Sequence, residues 1–254
     1  MQSVKYKIIF EDNNLLVIDK PSGVVVDRSQ TQAAGTLEDW LRIYVNSKLD
    51  REGIVHRLDK DTSGLLLVAK NQISLEKLQA QFKERIVRKQ YLGLVHGHIN
   101  ESGSVEGDIG RNPGNREKFT VLDEGKEAVT EYEPIKLLVM SSELVDKTFG
   151  DFNKIQMRKL RTMNYKLYTM VACRPLTGRT HQIRVHLKYI GHPIVADEKY
   201  VGRKMYRLDK RWCPRMFLHA RRLEFKHPLS DKWMEVESEL PEDLSAVLKN
   251  FQHG

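Results

Sequence analysis

Two short segments concentrate side chains from which chemistry can be built. The first is His56-Arg57-Leu58-Asp59-Lys60-Asp61-Thr62-Ser63-Gly64, a polar knot directly ahead of an apolar run. Strand edges are where a rigid scaffold presents reactive groups, and a carboxylate two residues after a guanidinium can act as a base or a nucleophile. A structural ion pair would have the same sequence. The D-x-D-x-S-G spacing also admits a calcium loop, but the twelfth position of such a loop needs a bidentate glutamate and here is Lys70. The second segment, Pro175 to His186, opens a helix with Gly178-Arg179-Thr180-His181. Helix N-termini attract phosphate, and Arg179 stands at that end. Helical spacing sets His181, Arg184 and Lys188 on one face, opposite Ile183, Leu187 and Ile190; a merely solvated face has the same stripe.

Metal and nucleotide chemistry find less support. His181 and His186 are five apart rather than the four of a zinc-binding H-E-x-x-H, and His96 with His98 has no third ligand nearby in sequence. There is no P-loop, no G-x-G-x-x-G after a strand and no G-x-S-x-G elbow.

The elements that must position these segments follow from periodicity. Ile8–Phe10 and Leu15–Ile18, separated by Glu11-Asp12-Asn13-Asn14, read as a hairpin closed by Lys20-Pro21-Ser22-Gly23. Thr36, with Asp39 three residues on, caps an amphipathic helix through Leu37, Trp40, Leu41, Tyr44 and Val45. Gly64–Lys70 is a buried strand, Leu75, Leu78 and Phe82 mark a second helix, and Tyr91–Gly97 returns to strand. The turn-rich stretch from Ile99 to Arg116 is expected to link two halves. Beyond it, Ala128–Ile135 and Tyr165–Arg174 read as strands, and 146–164 as an irregular, basic surface insertion. Thr180 is expected to cap the helix that Gly191 and Pro193 end. Phe217–Phe225 and Trp233–Val236 read as strands, and Pro241 starts a helix running through Phe251. Many strands with few helices, and no regular alternation between them, imply an α+β fold with a largely antiparallel or mixed sheet.

Charge narrows the partner. The 254-residue chain has 42 Lys+Arg against 34 Asp+Glu, a net charge of +8 and a pI near 9.3. Residues 151–222 alone hold 18 basic and 4 acidic side chains, more positive charge than the whole molecule. That balance suits a phosphate-facing surface, in which Lys154, Arg158, Lys159 and Arg161 are expected to meet a nucleic-acid backbone; a solvated basic surface has the same balance. The longest apolar run, Leu65–Ala69, is far short of the roughly 18 residues a membrane span needs. Met1 to Asn14 shows no charged-then-apolar leader, and Cys173 and Cys213 suit reduced thiols in a cytoplasmic protein.

Taken together, the two segments resemble the RluA-type RNA pseudouridine synthases. The likeness rests on Ile54 to Leu65, on Lys89-Gln90-Tyr91, on Gly178 to His186 with Gly191-His192-Pro193-Ile194 and Asp197 after it, and on Leu218-His219-Ala220. The opening Leu15 to Gly23 matches as well, so it runs from about residue 7 to about 238. The resemblance implies one catalytic domain over 1–254, a mixed, mostly antiparallel curved sheet in two halves with flanking helices and a central catalytic cleft. It implies a monomeric isomerase that converts uridine to pseudouridine in a tRNA or rRNA stem-loop, without metal or cofactor. Asp59 would be the catalytic carboxylate, Tyr91 the tyrosine that packs on the target base and assists proton removal, and Arg184 the arginine that salt-bridges the aspartate. Arg57 would fill the gap left in the RNA when the uridine is flipped out, and His56, Arg179, His181 and Lys188 would contact the RNA. An ionised Asp59 in a cleft needs a neighbouring cation, and an arginine cannot lose its proton. Many relatives carry a small RNA-binding domain ahead of the catalytic one, whereas this sequence enters the first hairpin within ten residues. The rival reading is a non-catalytic RNA-binding or ribosome-assembly factor on the same fold; loss of Asp59, Tyr91 or Arg184 would favour it, and all three are present.

Overall fold

A computed structural model of the chain describes residues 6–28, 32–162, 165–249 and 251–253. The first five residues of the opening stretch, the last two of the expected insertion and the side chain of Arg161 lie outside the described residues. In chain order the elements are β1 (Lys7–Glu11), β2 (Leu15–Lys20), α1 (Leu37–Tyr44), β3 (Ser63–Ala69), α2 (Gln72–Lys83), β4 (Arg88–His96), β5 (Gly103–Glu106) and β6 (Ile109–Asn112). They continue with β7 (Asn115–Val121), β8 (Val129–Met140), α3 (Ser142–Phe149), α4 (Lys154–Thr162), β9 (Leu167–Pro175) and α5 (Gln182–Tyr189). The chain closes with α6 (Arg203–Asp209), β10 (Leu218–Lys226), β11 (Trp233–Glu237), α7 (Glu242–Leu248) and β12 (Phe251–His253). The result is an α+β chain in which nearly every strand pair is antiparallel; β3 with β10 is parallel.

Two compact units divide the chain. The first comprises residues 1–90 and 219–239. Its strands pair in the order β1-β2-β3-β10, and β11 also pairs antiparallel with β10. The expected hairpin is present, and Asp12 closes its turn by accepting the backbone N–H groups of Asn14 and Leu15. All seven residues of β3 are buried, which is why its sequence is a continuous apolar run rather than an alternation. Leu15, Val17, Leu65 and Leu67 pack there against Leu75 and Leu78 of α2 and Leu223 and Phe225 of β10. α1 begins with the capping box expected of Thr36 and Asp39, and α2 is capped by Asn71, whose side chain accepts the Ser74 N–H at 2.9 Å.

Gly64 sits where β3 meets β10, opposite Ala220, with φ +114°. A Cβ there would lie 2.3 Å from the Ala220 carbonyl oxygen. Gly64→Ala therefore combines a backbone conformation that L side chains avoid with a clash against main chain that cannot rotate away. We expect it to lower stability by about 3 kcal/mol or more. An unchanged urea midpoint would show that the strands do not approach this closely.

The second unit comprises residues 91–218 and 240–254. Its strands pair in the order β4-β9-β8-β12 with β5 on β8, while β6 and β7 form a separate hairpin. The stretch expected to be a linker is thus largely strand, its glycines serving turns and close approaches between strands. The expected surface insertion is two helices rather than irregular chain. Ser141 caps α3, and Val145, Phe149 and Leu160 enter the same core as Tyr165, Tyr168 and Phe217. Its polar sequence hid this because few apolar positions, widely spaced, make the contact. At the C-terminus the helix ends at Leu248, and Phe251 begins β12, paired with Met140 of β8. Cys173 and Cys213 are buried free thiols, each pushed up to about 12 chiefly by burial. Among the described residues no helix is long and apolar enough to cross a membrane.

Candidate active site

The first unit presents Asp59 on a loop that is tied down from below. Lys20 at the end of β2 is fully buried, and its ammonium donates to the carbonyls of Pro21, Val24 and Lys60 at 2.9, 2.9 and 3.1 Å. The Gly23 N–H also donates to Lys60 O, and Ser22 Oγ donates to Asp61 O at 2.8 Å. A buried ammonium with three carbonyl acceptors is a satisfied charge, and here it joins the segment Lys20–Val24 to the residues flanking Asp59. The Asp59 carbonyl accepts the Thr62 N–H, closing the turn into β3. Below that turn, Ser63 Oγ and His219 Nδ1 lie 3.0 Å apart, and His219 Nε2 lies 3.2 Å from the Ser238 carbonyl. The carbonyl only accepts, so Nε2 carries the proton and Nδ1 accepts from Ser63. The Leu218-His219-Ala220 motif thus acts as framework for the Asp59 loop.

His56 and Arg57 diverge. His56 stacks on Phe82 with ring centroids 4.9 Å apart, and its Nε2 accepts the Leu67 backbone N–H at 2.9 Å. The ring anchors β3, a role its place in a polar knot did not disclose. Burial, followed by the charges of Lys89 and Arg51, pushes its pKa down to about 3. Because the unfolded chain binds this proton near pH 6.5 and the folded chain does not, stability declines as pH falls from about 6.5 toward 3. We expect His56→Gln to flatten that part of the stability profile in urea titrations, whereas an unaltered slope would mean the ring is protonated in the fold. Arg57, in contrast, leaves 65% of its side chain exposed, with Asp27 at 3.6 Å. Lys89, two residues before Tyr91 in sequence, is pushed down to about 8 by burial, which places its titration close to neutrality. Spacing alone gave no sign of that.

The second unit holds the other candidates. Tyr91 lies on β4 opposite Cys173 of β9 and is 8% exposed. Arg184 on α5 is buried, so the stripe it shares with His181 and Lys188 is not a merely solvated face. Its Nε and Nη2 donate to Asp197 Oδ2 and Oδ1 at 2.7 and 2.8 Å, and its guanidinium lies 5.0 Å from the Tyr200 ring centroid. Asp197, with no exposed surface, also accepts the backbone N–H groups of Lys199 and Tyr200. This fork holds the arginine in one orientation, with Asp197 engaging two of its five N–H donors.

The turn before α5 is built by Gln182. Its Oε1 accepts from Thr177 Oγ1 and from the Arg179 N–H, at 2.7 and 2.9 Å, while its Nε2 donates to Val129 O and Thr130 Oγ1. The helix cap is His181, not Thr180. His181 adopts the left-handed conformation, φ 57°, and its Nδ1 lies 2.7 Å from the Tyr200 hydroxyl. Non-glycine residues seldom hold that backbone unless their surroundings impose it. Arg179 is exposed, with its Nε on the Glu127 carbonyl, and Lys188 is exposed on the last turn of α5. His96 and His186 serve the fold: His96 Nε2 meets the buried Asp209 at 2.9 Å, and His186 lies between Thr130 Oγ1 and Gly107 O. Among the described residues no group of three or more His, Cys, Asp or Glu side chains is gathered to hold a metal.

Comparison with known proteins places these residues in a family context. The family model described as RNA pseudouridylate synthase matches residues 14–189, which include Asp59, Tyr91 and Arg184. The RNA pseudouridine synthase YlyB of Bacillus subtilis is 37% identical over 96% of this chain and 72% of its own. The ribosomal large subunit pseudouridine synthase D of Pseudomonas aeruginosa is also 37% identical, over 97% of this chain and 72% of its own. Among solved structures, human RNA pseudouridylate synthase domain containing 1 superposes with a TM-score of 0.72 at 27% identity, covering 98% of this chain and 89% of the other.

Proposed function

The chain belongs to the RNA pseudouridine synthase family, whose members are isomerases, and from that premise we propose that it converts uridine to pseudouridine in ribosomal RNA of the large subunit. The observation that carries the proposal is the anchored Asp59 loop. A carboxylate on a turn fixed by Lys20, Ser22 and the Ser63–His219 pair can hold one position while a base is brought to it. In this reading Asp59 is the catalytic carboxylate. Tyr91 packs on the flipped uracil, and Arg184, oriented by Asp197, supplies the cation that compensates Asp59. The exposed Arg57 takes the place that the uridine vacates in the RNA stack, and Arg179, His181 and Lys188 meet the backbone. The reaction detaches uracil from its ribose carbon and rejoins it through carbon 5, so no atom is gained or lost. Ribosomal RNA is preferred over tRNA because large-subunit enzymes recur among the relatives, at 35–38% identity.

The test is a map of pseudouridine in total RNA from cells with and without the gene. Loss of one or more large-subunit sites is expected. An unchanged ribosomal map with sites lost from tRNA would move the substrate, and an unchanged map throughout would favour the non-catalytic reading.

A further inference from the structure

The second unit carries a cationic groove apart from the residues assigned above. It has a volume of about 630 Å³ and lies between α4 and α6, lined by Phe152, Gln156, Arg203, Lys204, Arg207 and Arg211, among others. Four of these six are cations. Arg211 is fixed in place: its Nη2 meets Asp151 at 2.6 Å, its Nε donates to Thr148 O, and its guanidinium lies 5.0 Å from the Phe152 ring centroid. Arg203, Lys204 and Arg207 are exposed, and among the described residues neither Arg203 nor Arg207 has an acidic partner.

The arrangement works against its own helix. Arg203 and Lys204 stand in the first turn of α6, at the positive end of the backbone dipole, with no acidic residue in that turn. Arg203 and Arg207 are four apart, the spacing at which like charges on a helix repel. α4 repeats the pattern, with no acidic residue in its first turn and Lys154 four before Arg158. Such placement is unfavourable for the isolated chain and becomes favourable when polyanion fills the groove, because each neutralised phosphate releases counterions.

We propose that the α4–α6 groove is a second RNA-docking surface, which Arg203, Lys204 and Arg207 use to hold the phosphate backbone of substrate away from the target uridine. The proposal rests on the functional reading above insofar as the polyanion is that enzyme's RNA. It assigns the groove to affinity and substrate choice, not to the isomerisation itself. The residues of α4 singled out from sequence, Lys154, Arg158 and Lys159, are not among those that line the groove; the cations lining it come from α6 and Arg211.

The experiment compares wild type with Arg203→Gln/Lys204→Gln/Arg207→Gln by filter binding of an unmodified large-subunit ribosomal RNA transcript over a salt series. These side chains are exposed and Arg211 is left in place, so the fold should stand. We expect the log–log salt slope to shrink by about 2 to 3, from roughly 0.7 to 0.9 for each lost contact, and Kd to rise on the order of tenfold. At saturating RNA, tritium release should match wild type. Arg203→Lys/Arg207→Lys keeps the charge and should keep the slope. An unchanged slope and Kd in the triple variant would overturn the proposal, as would loss of slope in the lysine variant, since charge would then not be the cause. Wild-type protein that binds the transcript with the expected slope but releases no tritium would count against the functional reading alone. Wild-type protein that does not bind RNA would sink both.

Discussion

Replacing Asp59 by asparagine is expected to reduce pseudouridine formation by on the order of 10³-fold or more while leaving the fold and RNA affinity close to those of wild type. The amide keeps the shape of the side chain and can still accept a hydrogen bond, but it is neither a competent nucleophile nor a base. The loop would not collapse, because its anchors are Lys20, Ser22 and the Asp59 backbone carbonyl, none of which the substitution touches. Affinity would barely fall, since removing a negative charge from an RNA-binding enzyme costs no phosphate contact. If Asp59 served only as an arginine's structural partner, the opposite pattern would appear: a lower melting temperature, with turnover retained in whatever remained folded. Thermal melting and filter binding beside a single-turnover assay separate the two.

The second large effect is expected at Asp197. Asp197→Asn leaves the buried Arg184 without the carboxylate that engages its Nε and Nη2, and removing one member of a buried ion pair costs about 3 to 5 kcal/mol. The urea midpoint should fall accordingly, with turnover lost as the arginine is no longer oriented. A double variant, Arg184→Met/Asp197→Leu, distinguishes stability from chemistry. Removing both charges spares the fold an uncompensated buried ion, while Lys199 and Tyr200 still lose the acceptor of their N–H groups, so the double variant should regain part of the midpoint. It should regain none of the activity if Arg184 takes part in the reaction. Recovery of turnover along with stability would mean that the pair is framework only.

Asp197 also marks the limit of what the sequence disclosed. The capping box at Thr36, the opening hairpin and the buried run of β3 were legible because each is decided by residues close together in the chain. The polar knot and the Gly178–His186 segment were legible as places for chemistry, since few framework needs gather such side chains. What eluded reading depends on distant partners. Spacing alone could not tell Arg184 from part of a solvated stripe, because its carboxylate is thirteen residues on and its aromatic neighbour, Tyr200, lies sixteen on. Thr180 has the composition of a cap, yet the turn is set by Gln182 reaching Thr177 and Thr130, which moves the cap to His181. Phe251 continued a helical stripe on paper, but pairing with Met140 draws it into a strand. In the second unit, β5 and β6 are four-residue strands with a glycine each, and β5 is held by its ladder to β8, which no local propensity reports. His56 carried an ambiguity of its own: its place in the polar knot gives no sign of the backbone it supports, and only the position of Leu67 shows that its Nε2 accepts an N–H.

The central claim, that this chain isomerises uridine through Asp59, meets its most direct test in tritium release. Purified protein is incubated with a large-subunit ribosomal RNA transcript labelled at carbon 5 of uridine, because forming the new carbon–carbon bond expels the hydrogen held there. The account predicts release that plateaus at a whole number of tritium atoms per transcript with wild type and stays at background with Asp59→Asn of unchanged melting temperature. Release by the Asp59→Asn protein at a rate near that of wild type would contradict it.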